Sequence, residues 1–362
     1  MKFISQRKIK TGITLFVILT LTSWVLLIPL SYSDQAEILI RWKIGLFNLW
    51  KSLASINLWM LAAALLLMLI QQFLSMKRIQ AISQAQDISL PFHRAFYFTT
   101  GGLFLAAVTP FQSGGIPFQA YLLNQSGSNL SKSLAVITFR GILSGFVLIL
   151  FLPLIFLKIN SLFHSTFVTN LTKYLMVLYS LVIIFAFFAT MQNRKSHRFF
   201  LRITFCIGNV KIRKIVQKFI SKFFIGIRDF LTSYKIFFTR GIRNTLKATL
   251  ITTAELTVYF LIPPTLALGL TPGENIMGIF LTGIVLSYLL AFSPTPGASG
   301  VAELSGLSFS FFWNGPIAAL ILLWRMTTSY LPSLAGGIAL LVFIRSWGIK
   351  KQGSSVDYSH PS

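Results

Sequence analysis

Uncharged apolar runs of membrane-spanning length recur along this chain, and no other feature constrains its fold so tightly. Between Lys10 and Asp34 lie 23 uncharged residues, between Lys51 and Lys77 there are 25, and 20 separate Lys173 from Arg194. A helix crosses the hydrocarbon core with about 20 mainly apolar residues, so each run reads as a span. Further candidates are 133–157, broken only by Arg140; 249–270 and 275–292, on either side of the turn Thr271-Pro272-Gly273-Glu274; and 315–345, which contains Arg325 and Pro332. The first run follows a basic segment (Lys2, Arg7, Lys8, Lys10) as a signal peptide would. No small-residue cleavage site stands out and further spans follow, so it is read as an uncleaved helix. With 54% apolar and 11% charged residues, against about 25% charged in soluble proteins, the chain is expected to be an all-α polytopic transmembrane bundle without a large aqueous domain.

Basic residues orient such spans, because Lys and Arg accumulate in cytoplasmic loops. Thirty-two Lys+Arg against eight Asp+Glu give a formal charge of +24, and fourteen of the basic residues fall within 192–247 beside one acid, Asp229. That segment and both termini are therefore expected on the cytoplasmic side of a plasma membrane, with 158–170 outside. The first two spans should form a hairpin returning at Lys77-Arg78. Residues 1–347 form one integral membrane domain in this reading, and 348–362 a short polar tail. Nucleic acid is not the expected partner of this charge; anionic lipid is.

Two interruptions fall inside apolar stretches. The 37 uncharged residues from Ala95 to Ser131 are broken by Thr109-Pro110-Phe111-Gln112-Ser113-Gly114-Gly115-Ile116-Pro117, and Ser293-Pro294-Thr295-Pro296-Gly297-Ala298-Ser299-Gly300 follows the 275–292 span. Proline removes a backbone donor and glycine permits tight turns, while irregular backbone survives at membrane depth only where protein or a watery cavity satisfies it. We read two re-entrant hairpins with tips at Pro110, Gly114, Gly115 and at Pro294, Pro296, Gly297, Gly300. Aligning Pro110 with Pro294 places Gln119 opposite Glu303 at the same offset of nine. Broken helices in corresponding halves point to a substrate site between repeats; ordinary interhelical turns are the plainer alternative.

Within the basic segment, Ile212, Ile215, Val216, Phe219, Ile220, Phe223, Phe224, Ile227, Leu231 and Tyr234 recur at helical spacing with Lys211, Lys214, Lys218 and Lys222 off that stripe. An interfacial helix on the cytoplasmic leaflet is expected, either an anchor or a recruiter of lipid substrate. A single cysteine, Cys206, excludes an internal disulfide, and the scattered His93, His164, His197 and His360 offer no metal-ligand spacing. Neither a phosphate-cradling Gly-x-x-x-x-Gly-Lys-[Ser/Thr] loop nor a dinucleotide fingerprint occurs, so no metal and no cofactor is expected.

The run from Thr109 to Tyr121, Arg140 in the next span, and Pro294 to Glu303 resemble the flippase-like membrane family named for the transmembrane region of lysylphosphatidylglycerol synthase. The resemblance covers roughly 10–345 and implies a bacterial or archaeal plasma-membrane protein of about eight membrane segments. In the bifunctional synthases this region is similar to a lipid-translocating unit, and a separate soluble domain attaches the amino acid. The chain ends soon after the last span, so aminoacyl transfer is not expected.

Ionisable side chains within spans are costly and mark functional candidates by default. Arg140, Glu255, Glu303 and Arg325 qualify. A guanidinium can grip phosphate with two parallel hydrogen bonds and keeps its proton, which suits a lipid phosphate in a low-dielectric path. For Arg325 the competing role is a buried pair with Glu303 or Glu255. Arg140 lies eight residues beyond Lys132, about 12 Å of helix, so snorkelling to the interface competes with function. Glu303 would open a short helix after the tip, as a cap or as a proton carrier; Glu255 would serve as a counter-ion. The leading expectation is a translocase holding a phosphate headgroup with Arg140 and Arg325, with Glu303, Glu255 and Gln119 around it. A membrane enzyme acting on a lipid-linked substrate, and a non-transporting partner protein, are the alternatives.

Overall fold

The computed structural model describes residues 6–31, 37–151, 229–272, 275–291 and 293–353, with isolated positions between 153 and 181. The expected 174–191 span, most of the 211–234 amphipathic segment, Glu274, Cys206, His164, His197 and His360 lie outside those residues or among these isolated positions. Every described element is helical: α1 (Gln6–Leu30), α2 (Ile38–Ala54), α3 (Leu58–Gln84), α4 (Phe92–Ala107), α5 (Gly115–Asn124), α6 (Leu130–Leu150), α7 (Ile242–Leu270), α8 (Ile276–Ala291), α9 (Val301–Ser305), α10 (Ile317–Arg325) and α11 (Leu331–Gly353). Among the described residues five helical stretches are long and apolar enough to cross a membrane: Lys10–Leu30, Leu58–Gln84, Leu130–Leu150, Ile242–Leu270 and Ile317–Arg345. Their outward faces carry exposed Leu21, Leu66, Leu69, Leu250, Ile338 and Leu341, as expected of helices whose surroundings are acyl chains.

Local signals set the helix starts. Asn57 accepts a hydrogen bond from the Trp59 amide at 2.9 Å to open α3, and Asn129 accepts one from Lys132 at 2.8 Å to open α6; each satisfies a donor that the first helical turn leaves unpaired. The first two expected spans do not follow one another directly. Helix α2 intervenes, packing Gly45 against Ile28 of α1 and turning Leu39, Phe47 and Trp50 outward. Its charges (Arg41, Lys43, Lys51) interrupt the apolar run, so the rule of uncharged runs finds no helix there.

Helices α3 and α7 form the central pair and run antiparallel. The Asn57 amide at the start of α3 donates to the Gly269 carbonyl at the end of α7, at 2.9 Å, while Gly241, before α7, packs against Ala85, after α3. Each central helix leads into a hairpin with a broken tip. Helices α4 and α5 flank a short turn at Pro110–Gln112, and α8 and α9 flank another at Pro296–Ala298.

The backbone of these turns fixes the internal repeat. After the proline come two consecutive residues in the left-handed region: Phe111 (φ 52°) and Gln112 (φ 54°) in the first tip, Gly297 (φ 58°) and Ala298 (φ 55°) in the second. Thr109-Pro110-Phe111-Gln112-Ser113-Gly114 thus corresponds to Thr295-Pro296-Gly297-Ala298-Ser299-Gly300, an offset of 296 − 110 = 186. The same offset relates the starts of α5 and α9 (301 − 115) and the ends of α3 and α7 (270 − 84). This corrects the register taken from Pro294. Glu303 stands opposite Pro117, and Gln119 opposite Ser305. Because α3 and α7 are antiparallel, the two halves are inverted with respect to each other.

The halves also bury separate cores. One joins Ile79, Ile82, Phe98, Phe118, Leu122, Phe139 and Phe237 around the first hairpin; the other joins Leu27, Ile262, Leu266, Ile279, Phe309, Trp313 and Trp324 around the second. They lie at opposite ends of the α3/α7 pair, and the two tips meet between them.

Candidate functional site

At the meeting point the Phe111 amide donates to the Pro294 carbonyl at 3.4 Å. Helix α1 crosses both tips, with Gly12 against the Val108 carbonyl and Phe16 against Gly297. A side chain at Gly297 would meet both Phe16 and the Ala107 carbonyl, so the second tip admits the first only because glycine stands there. Pro110, Phe111, Gln112 and Ser113 keep an exposed edge, whereas Gly114, Gly115, Pro296 and Ala298 are buried.

Beside the second tip lies a closed polar network. Glu303, fully buried, pairs with Arg325 (Nε to Oε1, 2.9 Å). The same oxygen accepts the Tyr330 hydroxyl at 2.6 Å, and Oε2 accepts the Gly300 amide at 2.6 Å. Glu303 is therefore both the cap of α9 and the counter-ion of Arg325. Arg325 also donates from Nη2 to the Gly297 carbonyl at 3.2 Å and lies 5.3 Å from the Tyr330 ring centre. Trp24 of α1 completes the chain by donating to the Tyr330 oxygen at 3.4 Å. Tyr330 reaches Glu303 because 326–330 form a π-helical turn, whose wider winding brings the fifth residue after Arg325 round to the same side.

A second charged group lies in the first half, around α3, α6 and α7. Sequence reasoning placed Lys77-Arg78 at the return of a hairpin. Instead α3 continues to Gln84 and buries Arg78. Its Nε lies 3.0 Å from Glu255 Oε2, with both side chains 5% exposed, yet the two are not aligned for a hydrogen bond. Arg78 Nη1 donates to Ser144 at 2.8 Å, and Gln71 donates to Glu255 Oε1 at 3.4 Å. Arg140 turns inward rather than snorkelling. It donates to Ser75 at 3.3 Å and sits 5.8 Å over the Phe98 ring, and its carbonyl accepts at 3.2 Å from Ser144, the hydroxyl that Arg78 bonds.

The site residues expected from sequence thus fall into two clusters, Glu303 with Arg325 and Glu255 with Arg140. Gln119 joins the edge of the second, its amide donating to the Phe98 carbonyl at 3.3 Å. Arg78, Ser75, Ser144, Tyr330 and Trp24 were missed. Only Arg78 carried a legible signal: Ser75, Met76, Ile79 and Ile82 continue the helical face on which it lies. Among the described residues no group of three or more His, Cys, Asp or Glu side chains could hold a metal.

The curated relative "UPF0104 membrane protein" of Archaeoglobus fulgidus is 22% identical over 306 residues, covering 84% of this chain and 92% of its own length. The profile described as "Lysylphosphatidylglycerol synthase TM region" matches residues 21–336, from α1 through both broken tips and both charged clusters into α11. This chain is a multi-pass membrane protein belonging to the lysylphosphatidylglycerol synthase transmembrane-region family.

Proposed function

We propose that this protein moves a phosphate-bearing lipid, or the head of a lipid carrier, between the leaflets of the plasma membrane without covalent change. The observation that carries this reading is the meeting of two inverted, broken-helix tips, with Arg325 bonded to the second and Arg140 buried in the half that holds the first. Inverted repeats with discontinuous helices supply alternating access when one half rocks against the other around a central site. The two ends are not in the same condition. Arg325 is latched to Glu303, while Arg140 pairs with no carboxylate among the described residues and is the arginine that takes a headgroup phosphate. Opening the opposite face would release Arg325 from Glu303, and protonation of that carboxylate would favour the release. Both termini and 192–247 face the cytoplasm in this arrangement. The test is reconstitution of the pure protein into liposomes holding a trace of fluorescent anionic phospholipid, probed with a membrane-impermeant quencher. The expected result is a larger quenched fraction than in protein-free vesicles, with the lipid recovered unmodified. A covalently altered lipid, or no change in the quenched fraction, would contradict the proposal.

A further inference from the structure

The charged group formed by Arg78, Arg140 and Glu255 is unbalanced. Among the described residues Glu255 pairs with Arg78 and no second carboxylate pairs with Arg140, a surplus of one positive charge, whereas Arg325 and Glu303 balance each other. Leaving a buried charge without a counter-charge is costly, and Lys77 does not belong to the group, since its ammonium lies over the Phe73 and Phe92 rings. The bonding is incomplete as well as the charge. Arg78 Nε, Arg140 Nε and Glu255 Oε2 are each enclosed without a hydrogen-bond partner, although Arg78 Nε lies 3.0 Å from that carboxylate oxygen. Buried polar atoms in this condition mark a missing ligand or a strained arrangement. Around them stand neutral polar groups contributed by α3 and α6: Ser75 accepts from Arg140, Ser144 accepts from Arg78, and Gln71 donates to Glu255.

We propose that Arg78 and Arg140 form the headgroup site for a lipid phosphate diester carrying one negative charge, and that Glu255 is its displaceable counter-ion. The diester oxygens would take both guanidinium groups. One added negative charge would bring the group to neutrality, which a diphosphate would overshoot. Glu255 holds Arg78 in place while the site is empty and yields it, through the misaligned contact, when phosphate arrives. This assignment rests on the translocase reading for its purpose, and the binding it claims is measurable without transport.

The experiment measures binding of short-chain phosphatidylglycerol to the detergent-purified full chain, by the shift in melting temperature and by titration. Short-chain diacylglycerol and inorganic phosphate are the controls. The lipid should bind and the diacylglycerol should not. Arg140→Gln should remain folded and bind about tenfold or more weakly, with Arg140→Lys between. Glu255→Gln should bind at least as tightly as wild type, because a competitor for Arg78 is gone. If Arg78→Gln does not fold, the double variant Arg78→Gln, Glu255→Gln removes both charges together, and it should also bind more weakly. Unchanged affinity in folded Arg140→Gln or in that double variant would overturn the site. Inorganic phosphate binding as tightly as the lipid would overturn the lipid assignment in favour of a free anion. Wild-type protein that binds the lipid but never translocates it would contradict the proposed function and leave this site standing.

Discussion

Glu303 accepts three hydrogen bonds while wholly enclosed, so removing either side of its pair strands a charge. Arg325→Gln is expected to cost about 3–5 kcal/mol, read as a fall in melting temperature or abundance. Replacing both, as Arg325→Met with Glu303→Leu, should recover most of that loss. Retained stability with lost transport in Arg325→Gln would assign the arginine to the substrate instead. Tyr330→Phe should cost about 1.5–3 kcal/mol through a hydrogen bond to a charged group, measured the same way. At this scale the sequence showed which charges lie deep, because an uncharged run surrounds each of them. It named Glu303 as one of two carboxylates for Arg325. It could not show Tyr330, since five-residue spacing turns away on an ordinary α-helix and only the π turn brings it back. The apolar face that continues past Arg78 was outweighed by its neighbour Lys77, because two adjacent basic residues look like the end of a span whichever way each side chain turns.

The tips are where element-level reasoning went furthest. Proline and glycine within long apolar stretches located both breaks, but Pro294 and Pro296 compete to define the register and composition cannot choose between them. The choice follows from the backbone, where two left-handed residues succeed the proline in each tip. Glycine occupies the first such position in the second tip, and Gly297→Ala should therefore destabilise the protein by about 1–3 kcal/mol. Phenylalanine occupies the equivalent place in the first tip, 71% exposed. Phe111→Gly should leave stability unchanged or raise it by up to about 1 kcal/mol, since strain and an exposed ring are lost together. Thermal unfolding of both variants in one detergent checks the pair. Helix α2 was missed because its charged residues end an apolar run, which is the rule that found the spans.

At the scale of the whole molecule, inversion of the two halves follows from one antiparallel contact between α3 and α7, and it makes a prediction about sidedness. Asp87 lies after the end of α3, and Asn275 lies beyond the opposite end of the central pair, at the start of α8. With the basic segment inside, Asn275→Cys should react with an impermeant thiol reagent on intact cells and Asp87→Cys only after permeabilisation. Reaction of both from one side would contradict the inverted arrangement. The sequence carried the offset of 186 in four identities over six residues, too few to establish a repeat until the helix boundaries on both sides agreed with it.

The central claim is that the two tips meet and must move apart for a lipid to cross. A cysteine pair at Phe111 and Pro294, in a protein whose native Cys206 is replaced by Ser, tests it most directly, since the hydrogen bond between their backbones sets the two positions within disulfide reach. Oxidation should form the bridge and stop lipid translocation in proteoliposomes, and reductant should restore it. Full translocation by the bridged protein would contradict the account.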